Sequence, residues 1–224
     1  MRRFEVVSLD MFQTLVDVNS RVEQIWRPIL SDTYTAHKAE ECARLLLHYF
    51  FKHWPEQKSN PPFFLIKEVY ERSFESVFRD MNMIYEAHEA NKILFEEHTH
   101  SACYEDTEPF LNRISPLYQV CIVSDADEAM IPRFHEAYGI PIFISEHYQS
   151  YKNDADNAMF KQLLDRYQVD PSKVIHIGDS VTDVVGAKRE GITACWLNRN
   201  KRSWDHKVAP DLVIQSLEEL EGIL

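Results

Sequence analysis

KVIHIGDSVTDVVGAKREG, residues 173–191, is the stretch that decides the fold. Val174 to Ile177 form a short, nearly continuous apolar run, which ends on Gly178-Asp179 and passes at once into a segment of helical character. A run without polar alternation suits a strand covered on both faces. A strand that feeds directly into a helix is the repeating unit of a parallel sheet. Gly178 lets the backbone turn closely after the strand. Asp179 stands at the strand end and Asp183 on the first turn of the helix, where a carboxylate is also favoured by the helix N-terminus.

The same pattern extends to either side. YQVCIVSD (118–125), IPIFISE (140–146), GITACWLN (191–198) and DLVIQS (211–216) are short apolar runs bounded by polar or turn residues. EAMIPRFHEAYG (128–139) and DNAMFKQLLDRYQV (156–169) read as the helices between them. RFEVVSLD (3–10) joins the same sheet from the start of the chain. The alternation predicts an α/β fold of Rossmann-like type, a mostly parallel sheet with helices on both faces.

Between about Asn19 and His100 the pattern is helical, with no convincing strand. AEECARLLLHYFFKHW (39–54) carries apolar residues at helical spacing and stops at Pro55. SNPP (59–62) is a breaker, with Ser59 or Asn60 available as a cap. FFLIKEVYERSFESVFRDM (63–81) and IYEAHEANKILFEEH (84–98) read as further helices. An all-helical domain, residues 17–104, is therefore expected as an insertion into a core of residues 1–16 and 105–224. Trp26, Phe50, Phe51, Trp54, Phe63 and Phe64 are its aromatic candidates for a pocket, most of them expected in its core. EEHTHSAC (96–103) gathers His98, His100, Glu96 and Glu97, read as a solvated helix end and not a zinc site.

The totals exclude several classes. The chain has 224 residues, 45% hydrophobic, and a formal net charge of -12. That charge argues against a nucleic-acid backbone as partner. The four cysteines lack metal-ligand spacing, and Cys121 and Cys195 sit in apolar runs as buried thiols. With no signal peptide and no long apolar span, the expectation is a reduced cytoplasmic protein, monomer or homodimer, without a membrane partner.

In an open parallel sheet, ligands bind at the carboxyl ends of the strands. Three of the runs end there in polar residues: Asp10, Ser124-Asp125 and Gly178-Asp179-Ser180. The fold brings these distant positions to one edge. A carboxylate held at a strand end can act as a nucleophile, and Thr14 lies four residues after Asp10. Asp10, Asp179 and Asp183 make an oxygen-rich site of the kind Mg²⁺ prefers. Lys152, just before a helix, can balance those carboxylates and hold a phosphate. His176, inside the apolar run, reads as a hydrogen-bonded core histidine.

These residues resemble the haloacid dehalogenase superfamily. DMFQTL (10–15) resembles its first motif, IVS (122–124) its second, Lys152 its third and GDSVTD (178–183) its fourth. The helical insertion resembles the family's type-1 cap. The resemblance implies a hydrolase, a Mg²⁺-dependent phosphatase of a small phosphorylated metabolite that works through an aspartyl-phosphate. Asp10 would be the nucleophile. Asp10, the Phe12 backbone carbonyl, Asp179 and Asp183 would hold the metal. Thr14, Ser124 and Lys152 would hold the phosphoryl group, with Asp125 beside them among the substrate-binding residues. The alternatives are a 2-haloacid dehalogenase and a catalytically weak ligand-binding protein. Three departures stand out. Phe12 occupies the place of a second aspartate, the general acid–base of the family's phosphatases. Gln13 replaces a glycine. The stretch between Lys152 and Phe160 is longer than usual, which would displace Lys152.

Overall fold

The computed structural model describes residues 2–54 and 63–224. The predicted stop at Pro55 and the SNPP breaker at 59–62 lie outside the described residues. In chain order the elements are β1 (Val6–Leu9), β2 (Val16–Asp17), α1 (Val22–Leu30), α2 (Ala36–His53), α3 (Ile66–Asp80), α4 (Ala87–Thr99), β3 (Ala102–Cys103), α5 (Thr107–Ile114), β4 (Gln119–Ser124), β5 (Ile142–Ile144), α6 (Ser145–Tyr148), α7 (Ala158–Tyr167), β6 (Val174–Gly178), α8 (Val181–Arg189), β7 (Thr193–Leu197) and β8 (Leu212–Ile214). They form two compact units. One comprises Met1–Asp17, Ala102–Asp125 and Arg133–Leu224, the other Val18–Ser101 and Ala126–Pro132.

The first unit is built on a six-stranded sheet in the order β5-β4-β1-β6-β7-β8. Every pairing in it is parallel. The strands of β1 and β6 are buried at every position, Ser8 and His176 included. From β1 the chain order runs to β4 and β5 on one side and to β6, β7 and β8 on the other. The topological switch point therefore lies at β1, whose carboxyl end is a natural site for ligands. Register sharpens this. Leu9 is level with Ile122 of β4 and Ile177 of β6, so Asp10 emerges between the ends of both neighbours. Its N–H is held by the Ile177 carbonyl at 2.9 Å.

Val6, Cys121, Val123, Val174 and Ala194 of the sheet pack with Met159, Phe160 and Leu163 of α7 and with Val184 and Ala187 of α8. Cys121 and Cys195 are buried, as their sequence setting predicts, and so is Cys42. Two segments differ from the sequence reading. Residues 128–139 are not an α-helix but two 3-10 turns, Glu128–Met130 and Arg133–Tyr138. Pro132 lies between them. It has no N–H to donate and disfavours helical geometry at Ile131, which is extended at ψ 123. A short antiparallel pair, β2 with β3, was also invisible in the pattern. It joins the chain where it leaves for the helical unit and where it returns.

In the helical unit, α2 starts on Thr35, whose hydroxyl accepts from the Lys38 N–H at 3.1 Å. It buries Ala39, Cys42, Leu46 and Tyr49, alternating steps of three and four that make one face of a helix. The N-terminus of α3 is covered by Asp127, which accepts from the Ile66 and Lys67 N–H groups at 2.9 and 2.8 Å. That pairing explains why Ala126–Pro132 belongs to this unit although the sequence places it among the core segments. Trp26 is buried against Phe74, while Phe51 is 63% exposed and is not a core residue. His98 is buried in α4 and is not the solvated helix end expected.

Asp106, at the start of α5, is the hub of the first unit's sheet edge. It accepts two bonds from Arg199, both 2.8 Å, one from the Leu217 N–H at 2.9 Å and one from the Ser216 hydroxyl at 3.0 Å. Burial alone would raise its pKa, but Arg199 and the Leu217 amide outweigh it and hold the carboxyl below the ordinary aspartate value. A depressed folded-state pKa contributes stability that is present above the unfolded value of 3.8 and is lost as pH falls through the folded one. Asp106→Asn should therefore destabilise the protein at neutral pH by about 1–3 kcal/mol, the cost of weakening charge-assisted hydrogen bonds to a half-buried guanidinium. The loss should shrink as the natural protein is acidified below pH 4, measured by urea denaturation across a pH series.

Candidate active site

The carboxyl ends of β1, β4 and β6 carry Asp10, Ser124 and Asp179, and α8 adds Asp183. Asp10 is 5% exposed. Its Oδ1 accepts from the Ser124 hydroxyl at 3.0 Å and from Lys152 Nζ at 2.7 Å. Thr14 Oγ1 lies 3.4 Å from Oδ2. Lys152 Nζ also donates to Asp183 Oδ1. The ammonium thus sits between two buried carboxylates, itself 2% exposed. The longer stretch before Phe160 does not displace Lys152 from Asp10.

Local structure explains that placement. The Lys152 N–H donates to Asp125 Oδ1 at 2.8 Å. Downstream, Asn157 adopts a left-handed conformation, φ 47, immediately before α7. Its side-chain amide donates to the Gly186 carbonyl at 2.8 Å. Gly186 is required there, because a Cβ would collide with the Lys152 carbonyl. The loop is therefore pressed onto α8, and the extra length is taken up away from Lys152. Asp125 accepts on its other oxygen from Thr182 Oγ1 at 3.3 Å, so its carboxylate braces the lysine loop against α8.

Asp183 is fixed at both oxygens. Oδ1 accepts from Lys152 and lies 3.0 Å from His176 Nε2. Oδ2 accepts from the Ser180 N–H at 2.9 Å and the Ser180 hydroxyl at 2.5 Å. Ser180 and Asp183 form a reciprocal cap at the start of α8. Gly178 is needed for close packing and not for a left-handed turn: any Cβ would overlap the Asp183 side chain. His176 completes the arrangement by pairing Nδ1 with the Ser8 hydroxyl at 2.8 Å.

The electrostatics follow from four carboxylates and one buried ammonium. Burial, helped by Asp183, raises the Asp10 pKa against the opposing pull of Lys152. Burial and the neighbouring Asp183 and Asp10 push Asp179 up to about 7. Burial likewise raises Asp125 to about 7. For Asp183, Lys152 and His176 outweigh burial and hold its pKa below the usual range. Burial works against the charge of Lys152, but Asp10 and Asp183 more than offset it and raise its pKa.

One oxygen from each of Asp10, Asp179 and Asp183 lies within 4.8 Å of the others. The donors are all hard oxygens, they repel one another, and Asp179 keeps 22% of its side chain open. Such a set fits a divalent cation that binds few protein ligands and retains water.

This constellation matches a known family over most of its length: the haloacid dehalogenase-like hydrolase model covers residues 4–191. The chain belongs to the haloacid dehalogenase-like hydrolases. Among curated proteins, it is 38% identical over 56 residues to the pyrimidine 5'-nucleotidase YjjG of Escherichia coli, a match that spans 25% of each chain. Among solved structures, a HAD-hydrolase YfnB of Bacillus subtilis bound to magnesium superposes with a TM-score of 0.84 at 18% identity, over 100% of this chain and 99% of the other. A dehalogenase superposes with a TM-score of 0.81 at 18% identity, over 100% and 98%. At those identities the structural likeness establishes a shared fold. No helix among the described residues is long and apolar enough to cross a membrane.

Sequence reasoning missed several contacts that hold the candidate site residues. Arg202 donates to the Asp179 carbonyl at 2.7 Å and reaches its Oδ2 at 3.2 Å. Trp196 Nε1 donates to the same carbonyl at 2.9 Å. Asn157 carried a signal, since asparagine tolerates the left-handed region better than other residues. His176 is the buried, hydrogen-bonded histidine expected, while its link to Asp183 had no local signature.

Gly186→Ala should destabilise the protein by about 1–3 kcal/mol, the usual cost of overpacking. Gly222→Ala, where a Cβ meets nothing within 4 Å, serves as the control and should cost far less. Urea denaturation of both variants checks the pair.

Proposed function

We propose that this chain is a Mg²⁺-dependent phosphatase of small phosphorylated metabolites. The observation that carries the reading is the position of Asp10, between Lys152 and Ser124 and within 4.8 Å of the oxygens of Asp179 and Asp183. A halide-releasing site has no need of that acidic pair. A small phosphate monoester does, because its charge must be met by cations. Similarity over a short segment to a pyrimidine 5'-nucleotidase also supports a phosphate ester.

In this reading an Asp10 oxygen attacks phosphorus. The bond to the leaving oxygen breaks, and an aspartyl-phosphate forms. Water then attacks that phosphorus, the bond to Asp10 breaks, and inorganic phosphate leaves. Lys152 neutralises charge on the carboxylate and the transferring group, while Ser124 and Thr14 donate to the phosphoryl oxygens. Asp10, Asp179, Asp183 and the Phe12 carbonyl would hold Mg²⁺, which supplies further charge stabilisation when bound. Phe12 has no proton to give the leaving group. Substrates with acidic leaving groups, such as aryl phosphates, should therefore react much faster than alkyl phosphates.

Phosphate release from a panel of aryl, alkyl and nucleotide monoesters, with and without Mg²⁺, tests the reading. The expected result is metal-dependent release that Asp10→Asn abolishes. Phe12→Asp should raise turnover of alkyl esters on the order of a hundredfold, the lower end of a general acid's contribution. Phe12 also favours a second reading, carbon–halogen hydrolysis, where the aromatic ring costs nothing. Halide release from 2-haloacids without Mg²⁺, and no phosphate release from any ester, would establish that reading instead.

A further inference from the structure

The turn that follows Asp10 contains a residue that needs outside support. Gln13 has φ 62, in the left-handed region that non-glycine side chains disfavour. The turn is closed by its own backbone, with the Gln13 N–H on the Val16 carbonyl at 2.8 Å and the Leu15 N–H on the Met11 carbonyl at 2.9 Å. Four further bonds reach it from distant parts of the same unit, one of them from the Tyr104 N–H to the Leu15 carbonyl at 3.0 Å. The Tyr104 hydroxyl donates to Gln13 Oε1 at 2.6 Å. Arg199 donates to the Thr14 carbonyl at 2.9 Å. Thr107 Oγ1 donates to the Leu15 carbonyl at 2.7 Å. The donors support one another: the Arg199 guanidinium lies 4.1 Å from the Tyr104 ring centroid and is forked onto Asp106. Burial raises the Tyr104 pKa to about 12, so its hydroxyl keeps its proton.

We propose that Tyr104 and Arg199 are positioning residues for the nucleophile turn. Tyr104, through the Gln13 side chain, selects the left-handed conformation at Gln13, and Arg199 fixes the Thr14 backbone. Together they set where the Phe12 carbonyl and the Thr14 hydroxyl stand relative to Asp10. The proposal deepens the phosphatase reading and rests on it for the role of Asp10. Glycine would need no such support, so the relay is specific to a chain with glutamine at this position.

The test is a double-mutant cycle of Tyr104→Phe and Gln13→Gly, read by amide hydrogen exchange of the Gln13 and Leu15 N–H groups, by melting temperature and by turnover of an aryl phosphate. Tyr104→Phe should raise exchange at both amides by up to about tenfold, the scale of one lost hydrogen bond. It should lower kcat with KM little changed, and shift the melting temperature little. In the Gln13→Gly background the same substitution should change neither exchange nor kcat. An equal effect of Tyr104→Phe in both backgrounds overturns the proposal, as does altered exchange with unaltered kcat in an active enzyme. Arg199→Lys, which keeps the charge but not the fork, should raise exchange at Leu15 in either background. If the natural protein turns over no ester, the phosphatase reading falls, and coupled exchange still decides the relay.

Discussion

The site depends on one buried ammonium. Lys152 stands between Asp10 and Asp183, all three almost wholly out of water. Two carboxylates at that depth are costly unless a cation meets them. The fold therefore holds the lysine from several sides: its N–H on Asp125, its carbonyl against Gly186, and its loop tied to α8 through Asn157. A surface lysine would be hydrated and mobile. This one is fixed as a point charge beside a strand-end carboxylate.

Everything around that ammonium is set by the parallel sheet. The reversal of strand order at β1 opens a space at its carboxyl end, flanked by the ends of β4 and β6. Register places Leu9, Ile122 and Ile177 side by side. Asp10 follows Leu9 directly, and Ser124 and Asp179 lie two residues beyond Ile122 and Ile177. Hydrophobic burial of β1 and β6 holds the platform, and the polar residues at its edge are placed by hydrogen bonds from distant parts of the chain.

Membership of the haloacid dehalogenase-like hydrolases leaves this chain with features of its own. An aromatic ring stands two residues after Asp10, and a glutamine in left-handed geometry follows it. The glutamine is accommodated by contacts from Tyr104, ninety-one residues away in sequence. Arg202 adds a cation on the exposed side of Asp179. Arg202 thus meets one member of the acidic trio, and Arg199 holds the Thr14 carbonyl of the turn that follows Asp10.

The sequence by itself determined the sheet, the helical insertion and the strand-end carboxylates, because each is written in local periodicity. A covered strand reads as a mostly apolar run, and its end reads as the place where polar and turn residues take over. Asp10, Ser124 and Asp179 were legible for that reason, and Asp183 by its place on the first helical turn. Pro132 was legible too, although its effect on residues 128–139 was under-read. Only the tertiary structure decided the rest. Lys152 was legible as a candidate, but its seat between Asp183 and Asp10, 142 residues away, was not, and neither was the contact of the core histidine His176 with Asp183. Arg199 and Tyr104 lie in loops whose composition says nothing of the turn they support. Such contacts join positions that share no period and no spacing. They exist only once the strands have closed into one sheet and brought the loops at its edge together.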